Sequence, residues 1–226
     1  MARIVKTPDE RRRELIACAQ KLFYSKGYES TSVRDIVNEV GVAKGTFYYY
    51  FDSKAAILQA LVNELVAQAI ALLHKIVADE TLTAIPKWQR AFQVINKWKV
   101  EHKAEMIELS RLMHKDENVL LRYKMRRQRK QMVAPEFAKI ITQGVSEGVF
   151  KTEFVEDSAE IILAIMETFS ETFSDLLLYP EKYDNALVLA RCKLLAMQTA
   201  IERVLGARSG SLPLINMQML EAWFTD

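Results

Sequence analysis

Residues 31–54 read TSVRDIVNEVGVAKGTFYYYFDSK, and this stretch holds two short helices joined by a tight turn. Ser30, Thr31 and Ser32 offer hydroxyls suited to a helix N-cap, and Asp35 follows Ser32 at capping-box spacing. Ile36, Val37 and Val40 form the buried stripe of the helix they open. Gly41 breaks it, and Val42-Ala43 leads into a further helix from Lys44 to about Tyr50. Helix, glycine turn, helix is the helix-turn-helix layout.

The second helix of that pair carries the chemistry. Lys44, Gly45, Tyr48 and Tyr49 share one face, and Phe47 and Tyr50 share the other. Two tyrosines, a lysine and a bare glycine are an odd surface for a helix facing only water. They suit a helix that reads DNA. Glycine lets the backbone approach the duplex, while Lys44 and the tyrosine hydroxyls reach phosphates or base edges. Thr46 offers a hydroxyl to phosphate or a methyl to thymine. The plainer alternative is that Tyr48 and Tyr49 are packing residues, since tyrosine often sits half-buried.

Upstream, Asp9 and Glu10 follow Pro8 and open a helix whose apolar residues are Leu15, Ile16, Ala19, Leu22 and Phe23. Gly27 ends it. Downstream, Ser53 caps a long helix carrying Ile57, Leu58, Leu61 and Leu65 as far as about Val77.

Taken in order, residues 31–54 resemble the signature of the TetR (tetracycline-repressor-like) family. The hydroxyl cap, the apolar pair, the glycine-valine turn, the Gly-Thr-Phe-Tyr run, Tyr-Phe and Ser-Lys all match. So do Ala19-x-x-Leu22-Phe23 and Lys26-Gly27-Tyr28 upstream. The likeness covers about residues 8–68, with the helix-turn-helix at about 32–51. It implies an all-α fold: a three-helix DNA-binding head over residues 1–53 and a helical ligand-binding and dimerisation domain over residues 54–226. Position by position, it implies that Lys44, Gly45, Thr46, Tyr48 and Tyr49 make recognition-helix contacts. It implies phosphate or flanking contacts for Thr31, Ser32, Arg34 and Lys54. Lys44 falls where the family varies, so guanine and phosphate both remain open as its partner.

The bulk properties agree with a helical regulator. The chain has 226 residues, enough for one domain or two small ones, and only 7 Gly and 5 Pro, too few turn-formers for many short strands. The net charge of +2 means that any nucleic acid is held by a local patch and not by a global field. Cys18 and Cys192 lie in apolar helical patterns without metal spacing and read as buried free thiols, which suits a reducing cytoplasm. The stretch Met1 to Pro8 lacks the apolar centre of a signal peptide, and no uninterrupted apolar run reaches the ~18 residues of a membrane span.

Beyond residue 77 the pattern predicts helices at about 86–103, 104–114, 117–147, 157–178 and 183–206. A short last helix opens at Ser211 and Pro213 and ends near Phe224. The turn Gly144 to Phe150 also resembles the family's C-terminal half. Trp88, Phe92, Trp98, Met106, Met113 and Tyr123, with Met166, Phe169 and Phe173, are candidates to line a pocket for a small hydrophobic or aromatic effector, although each would serve equally as core. Glu167 and Glu171 lie near that face; the expectation is a solvated surface, with a cationic ligand as the alternative. The two late helices have broad apolar faces, and Ile161, Ile165, Leu176, Leu194, Ile201 and Leu205 are candidates for a homodimer interface that the resemblance places there.

Other signals are weaker. His102, Glu105 and Glu108 share a helix face but lack the donors of a metal site, and the basic run Arg122 to Lys130 reads as a solvated face. No nucleophile motif, phosphate loop or catalytic carboxylate pair occurs, so the expectation is no enzyme, no metal and no cofactor. The expected function is a repressor that leaves a palindromic operator in double-stranded DNA when a small molecule binds. A sequence-nonspecific DNA-binding protein and a helical carrier without DNA binding are the rival readings.

Overall fold

A computed structural model describes residues 6–225, so Met1 to Val5 of the N-terminal stretch, and Asp226, lie outside the described residues. Among the described residues ten α-helices follow one another: α1 Pro8–Lys26, α2 Val33–Val40, α3 Lys44–Tyr50, α4 Lys54–Val77, α5 Ala84–Glu101, α6 Lys103–Met113, α7 Val119–Ser146, α8 Val155–Leu178, α9 Ala186–Val204 and α10 Met217–Glu221. Strands are absent among the described residues. The chain divides into two compact units, one up to Gln68 and one from Ala69 onward, so α4 contributes to both.

In the first unit, local chemistry sets each helix start. Thr7 caps α1 in a reciprocal box with Glu10. Ser32 caps α2: its Oγ accepts the Asp35 backbone N–H at 3.1 Å, and the Asp35 carboxylate accepts the Ser32 N–H at 2.7 Å. The Ser32 N–H, the Ser32 hydroxyl and then Lys26 hold the Asp35 carboxyl down at about 2. Gly41 closes α2 in the left-handed conformation at φ 74°, where a side chain would be strained. Ser53 Oγ accepts the Ala56 N–H and starts α4. The core beneath these helices is Leu15, Ile16, Ala19, Phe23, Ile36, Phe47, Phe51, Ile57, Leu58 and Leu61.

The second unit is built on α7, α8 and α9, with α5, α6 and α10 packed around them. Trp88 and Phe92 on α5 stack with Phe137 on α7, their ring centroids 5.2–6.1 Å apart. At the end of α7, Gly144 lets the Phe150 ring lie against the backbone. A Cβ there would come within 2.1 Å of the ring. The buried Glu202 carboxylate accepts the backbone N–H groups of Gly210 and Leu212, each at 3.0 Å, and fastens the C-terminal segment to α9. Pro86 falls in the first turn of α5, where a missing N–H is tolerated, whereas Pro135 lies inside α7.

Several expectations change. The last helix does not open at Pro213. It is a short helix capped by Asn216, whose side chain accepts the Met219 N–H. Of the two cysteines expected to be buried, Cys192 is exposed and Cys18 is half-buried. The lack of an uninterrupted apolar run hid α4, which among the described residues is long and apolar enough, by length and composition alone, to cross a membrane. Its apolar residues are interrupted by Gln59, Asn63 and Glu64, and Ile57, Leu58 and Leu61 are buried in the first unit's core.

Candidate nucleic-acid interface

The first unit holds α3 by one buried face and leaves the other bare. Phe47 is 0% exposed and packs against Phe51, while Tyr48 is 48% and Tyr49 77% exposed. Lys44 is exposed, with its ammonium 5.7 Å from the centre of the Tyr48 ring. Tyr50 is half-buried and meets the Tyr49 ring edge-on at 4.8 Å. Thr46 is half-buried at the rim. A lysine, two tyrosines and a glycine thus form a continuous patch along α3.

Gly45 lies in the middle of this patch. A Cβ built there meets nothing within 4 Å, and its backbone angle is ordinary. Nothing in the chain's own packing calls for a glycine at this first-turn position of α3. The bare position leaves the backbone of α3 open to close approach from outside the chain.

Of the flanking residues, Ser32 and Arg34 are exposed at the start of α2. Arg34 has no hydrogen bond or ion pair among the described residues, so its guanidinium is available to an anion. Ser32 already engages Asp35 as a cap. One expected contact is corrected, and another is already engaged within the chain. Thr31 is fully buried, and its hydroxyl donates to the Gly27 carbonyl at 2.8 Å, so it locks the turn between α1 and α2 and presents no side chain outward. Lys54 is half-buried. Its ammonium donates to the Tyr28 carbonyl at 2.8 Å and lies 4.1 Å from the Tyr28 ring centre, which ties α4 to the same turn.

The candidates in the second unit separate into three groups. Trp88 and Phe92 belong to its buried core, and Tyr123 is 60% exposed. Trp98, Met106, Met113, Met166, Phe169 and Phe173 are half-buried. Glu167 does not await a cation, because Arg126 and Arg129 hold it at 2.6 and 3.1 Å, and Arg126 also holds Glu171. These pairs, with Lys130–Glu160, turn much of the basic run on α7 toward acids of α8. His102 stacks on Trp98 and turns Nδ1 to that residue's carbonyl.

The expected dimer residues need the same correction. Leu176, Leu194, Ile201 and Leu205 are at most 4% exposed within a single chain, so they are core and meet no partner. Ile165 is half-buried, and Ile161 is 50% exposed. The apolar residues that α8 and α9 leave uncovered include Ile161, Ala164, Val188 and Leu195, beside Thr168 and Cys192. Sequence reasoning misses this set because both sides of these helices are apolar. Helical phase ties Val188, Cys192 and Leu195 together, but only packing shows which side is free.

Comparisons with known proteins bear on this arrangement. The family profile described as bacterial regulatory proteins, tetR family, matches residues 15–61, and the tetracyclin repressor-like C-terminal domain matches residues 97–192. The repressor KstR2 of Mycobacterium tuberculosis is 27% identical over 161 residues, 70% of this chain and 78% of that protein. The transcriptional regulator YuxN of Bacillus subtilis is 48% identical over 54 residues, 24% of this chain but only 19% of its own length. The crystal structure of RolR with its ligand resorcinol has the same fold, with a TM-score of 0.62 at 14% identity, covering 96% of this chain and 94% of that one. With a helix-turn-helix head that matches the first profile and a helical body that matches the second, this chain belongs to the TetR family of bacterial transcriptional regulators.

Proposed function

We propose that the chain is a cytoplasmic, ligand-responsive repressor that binds a near-palindromic operator as a homodimer. The observation that carries this reading is the outward face of α3. Lys44, Tyr48 and Tyr49 stand exposed around an unobstructed Gly45, on a helix anchored by a fully buried Phe47. Arg34 supports it as a phosphate contact beside the reading face. Dimerisation follows from the geometry of DNA, since two recognition helices must reach half-sites about 34–36 Å apart. The uncovered residues Ile161, Val188 and Leu195 on α8 and α9 are apolar surface suited to pairing with a second copy.

Ligand binding in the second unit and DNA binding in the first are linked through α4, which contributes to both. By linkage, whatever factor the effector takes from operator affinity, the operator takes from effector affinity, typically ~1–3 kcal/mol. The half-buried aromatic and methionine side chains of the second unit favour a small effector with apolar character, as RolR holds resorcinol.

Genome fragments retained by the purified protein at near-physiological salt test this reading. Enrichment of a few palindromic sites is the expected result. Uniform retention of all fragments would favour nonspecific binding, and no retention would favour a carrier. An effector that binds tightly yet leaves operator affinity unchanged would overturn the release mechanism.

A further inference from the structure

From Val119 to Pro135, α7 carries six basic residues and no acidic one. Four of the six are engaged within the chain. Arg122 donates to the carbonyls of Met113 and Lys115, Arg126 and Arg129 hold Glu167, and Lys130 holds Glu160. Lys124 and Arg127 are exposed and have no hydrogen bond or ion pair among the described residues. They share one face of the helix with Val119, Leu120 and Tyr123, at steps i, i+1, i+4, i+5 and i+8. Those three apolar side chains are each more than half exposed. An exposed apolar patch rimmed by charge marks a contact surface.

The start of α8 is its complement. Phe154, Asp157 and Ile161 follow one another at steps of three and four and so lie on one face, with Phe154 and Ile161 at least half exposed. Glu153, Glu156 and Asp157 are exposed acids without a hydrogen bond or ion pair among the described residues. Through Ile161 this face continues the uncovered surface of α8 assigned above to pairing between copies. Within one chain the two patches are held apart. α7 and α8 run antiparallel, since Arg126 pairs with Glu167 and Lys130 with Glu160. The basic patch therefore lies beside the C-terminal end of α8, and the acidic patch lies at its start. A groove of about 660 Å³, floored by Ala134, Pro135 and Ala138, separates them, with Arg127 on one side and Glu156 on the other. Tyr123 and Ala138 are fifteen residues apart, or ~22 Å along the helix.

A second copy can bring together what one chain keeps apart. We propose that the basic face of α7 docks against the acidic start of α8 in a second copy of this chain. An antiparallel placement about a twofold axis forms the contact twice. Lys124 and Arg127 of each copy meet the acids of the other, and Leu120 and Tyr123 cover Phe154. A parallel placement would set like charges against each other, so the charge pattern fixes the orientation of the pair. This rests on the homodimer reading above and deepens it by naming a second surface that each copy contributes.

Sedimentation velocity of the full chain over a range of concentrations tests it. Two double reversals are compared, Lys124→Glu with Arg127→Glu, and Glu153→Lys with Asp157→Lys, together with the chain that carries all four. Each double reversal is expected to weaken dimerisation about tenfold, because it sets like charges together at two symmetric contacts. The fourfold variant reverses both sides and keeps the pairing, so it is expected to dimerise within about threefold of wild type. Thermal melts establish that each variant is folded. If a folded double reversal dimerises as wild type does, or if the fourfold variant fails to recover, the contact is overturned and the homodimer reading stands. If the wild-type chain stays monomeric throughout, both fall.

Discussion

The two units of this chain deploy the same kinds of residue in opposite directions. The first unit packs a small core and turns its aromatic residues Tyr48 and Tyr49 outward, around a glycine that nothing obstructs. The second holds most of its candidate aromatic and methionine side chains buried or half-buried. The difference follows from the partners. A DNA duplex is too large and rigid to enter a protein, so its reader must stand on a firm convex support. A small apolar molecule is held best where it is surrounded. Polar groups follow the same division. In the first unit they cap helices and fix turns, as Ser32, Thr31 and Lys54 do. In the second, some bridge distant parts of the chain, as Gln89 does to Ser211 and Asn96 to Leu214.

The sharpest way to break the comparison is at its support. Phe47 and Tyr48 are adjacent, but one is 0% and the other 48% exposed. Phe47→Ala is expected to destabilise the first unit by about 3–5 kcal/mol, the usual cost of truncating a core phenylalanine. Denaturant unfolding followed by a probe in the head measures this. A destabilisation below about 1 kcal/mol would show that α3 is not anchored through Phe47.

The second unit offers a counterpart of intermediate size. Gly144→Ala places a methyl group against the Phe150 ring, and overpacking of this kind typically costs about 1–3 kcal/mol. The expected outcome is a lower melting temperature for the body with operator affinity measured below the transition unchanged. A neutral Gly144→Ala would mean that the turn at the end of α7 gives way easily.

These two sites also show what sequence reading reaches. The limits of α3, and the division of its faces between Phe47 and the exposed tyrosines, depend on capping hydroxyls, a glycine turn and helical phase, all local in sequence. Thr31 misleads because its partners, Gly27 and Leu22, lie across a turn, and a hydroxyl looks the same whether it meets a carbonyl or a phosphate. In the body the helices are legible and their faces are not. Leu194 and Leu195 are neighbours of equal hydrophobicity, yet one is 4% and the other 48% exposed.

A smaller effect sharpens the outward half of the comparison. Tyr48→Ala removes a half-exposed ring, and is expected to leave the head folded while weakening operator binding about tenfold, or ~1.4 kcal/mol. Binding titration and thermal melting on the same protein separate the two quantities. Normal operator affinity in this variant would remove Tyr48 from the reading face.

The smallest effect discriminates best, because its two parts have opposite signs. A methyl at Gly45 meets no atom of the free protein, and alanine favours the helix over glycine by up to about 1 kcal/mol. Gly45→Ala is therefore expected to stabilise the free head, by at most about 1 kcal/mol. It is also expected to weaken operator binding, because the added methyl occupies the space into which the duplex comes. A general disturbance, such as a distorted α3, would instead lower stability and affinity together. If Gly45→Ala stabilises the head and binds operator as well as wild type, the backbone at residue 45 does not approach DNA, and the glycine reflects some other constraint than the duplex.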